Sequence, residues 1–85
     1  MKIIDAVFVY QMKNVNELKW HGRVHAHKEG EYEIHYFLGG DGQFVNENTQ
    51  YTIHPGVMFV SLPYSVHTIR AKEENPVTYY AILLH

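Results

Sequence analysis

The sequence predicts an all-β fold, a small barrel or two-sheet sandwich. Three observations carry the prediction. Hydrophobic residues make up 46% of the 85 and aromatic residues 14%, and they arrive in short runs rich in Val, Ile, Tyr and Phe. No segment sustains a helical period. Between the runs lie clusters of residues suited to tight or left-handed turns.

The first run is Ile3 to Met12, whose opening carries charges and no small-residue cleavage pattern, so it reads as a strand and not as a signal peptide. Arg23 to His27 and Tyr32 to Leu38 come next. Gly39-Gly40-Asp41-Gly42 breaks the chain before Gln43 to Val45, and Asn46-Glu47-Asn48 turns it into Gln50 to His54. A His54-Pro55-Gly56 turn leads to Val57 to Leu62, then come Val66 to Ala71, the polar turn Lys72 to Pro76, and Val77 to Leu84. Roughly eight short strands at even spacing suit a barrel or sandwich. The last run either pairs inside the barrel or at a dimer seam, or marks a cut from a longer protein.

Length and charge narrow the function. A chain of this size removes only about two-thirds of its surface from water on folding, so a partner subunit would help its core, and a homodimer is expected. With a formal net charge of -2 and no basic cluster, this segment offers no footprint for nucleic acid or an anionic membrane. The absence of cysteine excludes disulfides, thiolate metal sites and cysteine nucleophiles. No run approaches the ~18 apolar residues of a membrane span. A cytoplasmic protein is the default expectation.

The chemistry concentrates in histidines and glutamates. His25 and His27 flank Ala26, and on a strand they point the same way. Glu33 and His67 extend the set to three imidazoles and a carboxylate, which suit Zn, Mn, Fe, Ni or Cu better than the oxygen cages of Mg or Ca. Glu31 shares the parity of Glu33, so alternation alone leaves both open. His35, two residues beyond Glu33, belongs on the same face and is a candidate to line the same cavity. Phe37 and Tyr64, among several aromatics that include Trp20, Tyr36, Phe44 and Phe59, are candidates to stack on a ligand, against the ordinary role of such rings in a β core. His21, His54 and His85 fall at turns or an end. No phosphate loop, Ser-His-Asp order or Gly-x-Ser-x-Gly elbow stands out.

This pattern resembles the cupin superfamily. Its first motif, two histidines one apart, a glutamate, then six residues and a glycine, corresponds to His25, His27, Glu33 and Gly40; its second, a glycine and a histidine eleven positions on, corresponds to Gly56 and His67. The spacing to Gly40 favours Glu33 over Glu31, which is held as a reserve. Leu62 and Tyr64 stand where the family usually has Pro and Gly, and Ala71 where it has Asn. The likeness covers roughly Arg23 to Ala71 and implies a double-stranded β-helix, or jelly roll, formed by residues 1–85 as one domain or as part of a longer chain.

A closer similarity is to the effector-binding cupin of AraC-type transcription regulators, carried by Tyr32 to Gly42 and Tyr51 to His67. It implies a barrel that binds a small effector, often a sugar, and dimerises, while a separate helical domain reads DNA. The cupin motifs add to this reading a divalent metal on His25, His27, Glu33 and His67. The alternative is a free-standing cupin metalloenzyme of isomerase, epimerase or dioxygenase type, with His35 or Glu31 as base. The absence of an evident second acid or base weighs against catalysis. A third reading is a structural barrel without a ligand.

Overall fold

A computed structural model describes residues 1–12 and 29–85. Among them every regular element is a strand: β1 (Ile3–Met12), β2 (Tyr32–Gly39), β3 (Gly42–Asn46), β4 (Thr49–Ile53), β5 (Met58–Ser61), β6 (His67–Ala71) and β7 (Val77–Leu84). The expected run Arg23 to His27 lies outside the described residues, as does Trp20. Two antiparallel sheets form, one of four strands ordered β1-β7-β2-β5 and one of three ordered β4-β3-β6. The jelly-roll barrel expected from the sequence is the fold observed.

Alternation explains how the two sheets make one core. Phe37 on β2, Tyr79 and Ala81 on β7, Phe44 on β3 and Ile69 on β6 all turn inward, and with Met12, Ile53, Ala71 and Val77 they form the buried cluster. Aromatic rings dominate it. Phe44 lies parallel to Phe59 at a centroid distance of 4.6 Å, and Phe37 meets Tyr79 at 5.1 Å, so rings from both sheets close the space between them. The terminal run Val77 to Leu84 is paired on both sides, to β1 and to β2, and its end is tied down by reciprocal backbone bonds of 2.8 Å between Lys2 and His85.

Two turns place the strands that bear the site. The Gly39 to Gly42 stretch is a corner between sheets, because β2 and β3 belong to different ones. Gly40 takes a φ of +98°, and a Cβ there would sit 2.3 Å from the Pro76 carbonyl oxygen, so the corner closes only without a side chain. The second is Leu62-Pro63-Tyr64-Ser65, where the Ser65 amide donates to the Leu62 carbonyl at 3.1 Å. Proline stands at its second position and a residue of φ +63° at its third, the place a type II turn gives to glycine. Here that residue is Tyr64. His54-Pro55-Gly56-Val57 repeats the design with glycine in place, at φ +88°.

Candidate metal and effector site

Strand alternation puts Glu33, His35 and Phe37 on the inner face of β2, and β6 brings His67 to them from the opposite sheet. His67 Nε2 lies 2.9 Å from Glu33 Oε1, and His35 Nε2 lies 3.7 Å from the same oxygen. One ligand atom from each of the three falls within 4.8 Å of the other two. His35 is 3% exposed and His67 2%, with Glu33 half-buried. The cluster therefore sits between the sheets.

The hydrogen bonding of His67 bears on what it can hold. Its Nδ1 lies 3.2 Å from the Ser65 carbonyl oxygen, an acceptor only, so the hydrogen of the neutral ring belongs on Nδ1. Nε2 then turns its lone pair toward a carboxylate. Such a pair is satisfied by a shared proton or by a cation between the two atoms. A backbone carbonyl that fixes the Nδ1–H tautomer and aims Nε2 inward is the usual outer support of a metal-binding histidine.

The donor chemistry fits a metal on the same grounds. Two donors each ~2.0–2.2 Å from one ion stand roughly 3 Å apart at right-angled positions and about 3.4 Å apart at tetrahedral ones, so the 2.9 Å Glu33–His67 contact needs only a small opening to admit an ion. Imidazole and carboxylate together select first-row transition metals. Aromatic rings pack round the histidines: His35 lies 5.1 Å from Phe44 and 5.6 Å from Tyr79, and His67 is stacked on Phe44 at 5.9 Å. This apolar wall strengthens any charge interaction inside it. Burial, and then the negative charge of Glu33, raise the pKa of Tyr79 above the ordinary tyrosine value.

The structure brings together Glu33, His67 and His35, the last read from sequence as lining the cavity. His25 and His27 lie outside the described residues. Glu31 is half-buried just before β2 and is not among the three clustered groups. Phe37 is fully buried and stacks beside His35 at 6.4 Å, whereas Tyr64 is 64% exposed on its turn. Sequence reasoning missed Ser61. It pairs with Glu33 across β2 and β5, is fully buried, and its hydroxyl has no hydrogen-bond partner among the described residues. Only the strand register reveals it.

Comparison with known proteins supports the same frame. The profile of the family described as AraC-like ligand binding domain matches residues 16–85. No protein of curated function matches by sequence. Among solved structures, a cupin protein from Bacteroides fragilis is similar at TM-score 0.66 and 24% identity, over 72% of this chain and 51% of the other. A predicted oxalate decarboxylase from Thermotoga maritima gives 0.67 and 26%, over 73% and 53%. KdgF from Halomonas sp. gives 0.74 and 22%, over 96% and 74%. The matched part thus spans about half the length of the first two structures.

Proposed function

Because the chain belongs to the family of AraC-like ligand binding domains, we propose that it is a single cupin domain, residues 1–85, that binds a polar small-molecule effector, a sugar by resemblance, beside a divalent metal. His25, His27, Glu33 and His67 would hold the ion, which would be Zn, Mn, Fe, Ni or Cu. The observation that carries this reading is the buried Glu33–His35–His67 cluster with its inward-turned Nε2 atoms. A bound ion would supply a Lewis-acidic anchor for ligand oxygens.

The chain's own residues do the rest. His35 offers a second imidazole to a ligand hydroxyl or carboxylate, and Ser61 presents a buried hydroxyl beside Glu33. Phe44 and Tyr79 exclude water. For the domain to act as a sensor in a cytoplasmic regulator, the ligand must bind unequally to two arrangements of the protein or its neighbours. The 26% identity to a predicted oxalate decarboxylase supports a second reading, a cupin metalloenzyme that uses the same cluster.

Thermal unfolding of the protein, screened against sugars and sugar acids with and without Mn, Fe, Ni or Zn, tests the proposal. A true ligand at a hundred times its Kd adds about 2.7 kcal/mol, and Glu33→Gln is expected to abolish the gain. A screen in which neither metals nor ligands raise the midpoint overturns it. Turnover of a stabilising compound by the metal-loaded protein selects the enzyme reading.

A further inference from the structure

The inner face of β4 changes character along its length. Ile53, paired with Gly42 at the glycine corner, is fully buried. Tyr51 pairs with the fully buried Phe44 and meets Phe59 of the opposite sheet at 5.6 Å, so it points inward, yet it is 45% exposed. Thr49, next on that face, is exposed as well. The barrel therefore closes at the glycine corner and opens at the other end of β4. Polar groups gather at that end. The register sets Thr49, Asn46 and His67 in one row of the three-stranded sheet, and Ser61, Glu33 and Leu83 in one row of the other. Among the described residues, the other aromatics between the sheets are buried, as Phe37, Phe44 and Tyr79 are, or half-buried, as Phe59 is.

We infer, resting on the effector-binding reading above, that Tyr51 is the platform on which the ligand stacks, and that the ligand is a cyclic polyol, an aldose in its ring form. Phe59 supports the tyrosine from within, Phe59 lies flat on Phe44, and Phe44 is stacked on His67, so packed rings join the platform to the polar cluster. A side chain already held in place loses little freedom when a ligand settles on it. Aromatic walls with a few placed polar groups are what a pocket at a barrel mouth uses to hold a small molecule. A flat aromatic ligand would suit Tyr51 but would cover Ser61, Thr49 and Glu33 without replacing the water they lose, which is costly. An open-chain polyol brings the hydroxyls but no face for the tyrosine. A saturated ring with C–H groups on one face and hydroxyls around its edge answers both. The aromatics singled out from the sequence do not fill this place, because Phe37 has no exposed surface and Tyr64 lies on the turn after β5.

Titration calorimetry of the full chain, with and without Mn or Zn, against aldopentoses and aldohexoses, each beside the open-chain alditol of the same carbon number, tests the inference. At least one aldose is expected to bind, and its alditol to bind at least about tenfold more weakly. Tyr51→Ala is expected to weaken that aldose about tenfold and Tyr51→Trp to retain it, both with unchanged metal content. Tyr36→Ala serves as the control, since Tyr36 pairs with Tyr80 on the outer face of the other sheet, and it is expected to leave the Kd unchanged. If Tyr51→Ala does not fold, Tyr51→Leu keeps an apolar contact with Phe59 and is expected to show the same loss. Equal binding of aldose and alditol, or binding undiminished by loss of the Tyr51 ring, overturns the inference and leaves the effector reading standing. Binding of no aldose overturns it too, and the effector reading falls with it only if the thermal screen is also blank.

Discussion

Four glycines separate two kinds of backbone constraint, and their alanine variants should fall in a defined order. Gly39 has an unexceptional φ, and a Cβ there meets nothing within 4 Å. Gly56 has φ +88° and open space, Gly42 would place its Cβ 2.1 Å from the Arg70 carbonyl oxygen, and Gly40 combines φ +98° with the 2.3 Å approach to Pro76. Gly39→Ala should gain ~0.4–1 kcal/mol by restricting the unfolded chain. Left-handed strain alone makes Gly56→Ala lose ~1–2 kcal/mol, and crowding alone makes Gly42→Ala lose ~1–3 kcal/mol. Gly40→Ala carries both, for a loss of ~2–5 kcal/mol. That is a large share of the roughly 4–13 kcal/mol available to a chain of this length, and it should lower Tm by ~10–30 °C. Urea and thermal unfolding followed by circular dichroism measure the series. If Gly40→Ala proves no worse than Gly56→Ala, the close approach to Pro76 is not what fixes this corner.

Single residues supply the other predictions. Tyr64 holds a left-handed φ while its side chain is largely exposed, so Tyr64→Gly should fall within ~1 kcal/mol of wild type, relief of strain offsetting the freedom of glycine; a loss above ~3 kcal/mol, the scale of a lost core side chain, would mean the ring packs. Because the pKa of Tyr79 is raised in the folded state, its contribution is complete below the unfolded value near 10 and is lost as pH rises toward the folded one. Stability above pH ~10 should therefore fall by up to ~1.4 kcal/mol per pH unit, and Tyr79→Phe should remove that part of the slope. Ser61→Ala should leave stability unchanged or raise it by ~1 kcal/mol, since an unsatisfied buried hydroxyl is costly, while weakening any ligand seated beside Glu33; a loss of stability would show the hydroxyl is bonded.

Much of the fold was legible in the chain. Val, Ile and aromatic runs located β1 at Ile3 to Met12 and β7 at Val77 to Leu84 with their observed bounds, because alternation and turn residues are local signals. The pairing of β2 with β7 was not legible, since it joins residues some forty-five positions apart in sequence and depends on how the sheets close. The site divides in the same way. Glu33 and His67 could be matched by spacing, and the structure sets them 2.9 Å apart. Ser61 became visible only through the register, and the left-handed Tyr64 gave no warning because the neighbouring Pro63 specifies only its own φ.

The most direct test of a metal-centred site is elemental analysis of the purified protein, as isolated and after reconstitution with Mn, Fe, Ni and Zn, alongside Glu33→Gln and His67→Ala. Close to one ion per chain is expected in the wild type, with clear loss in both variants. No retained metal under any condition, or retention undiminished by both substitutions, would contradict a metal held by Glu33 and His67.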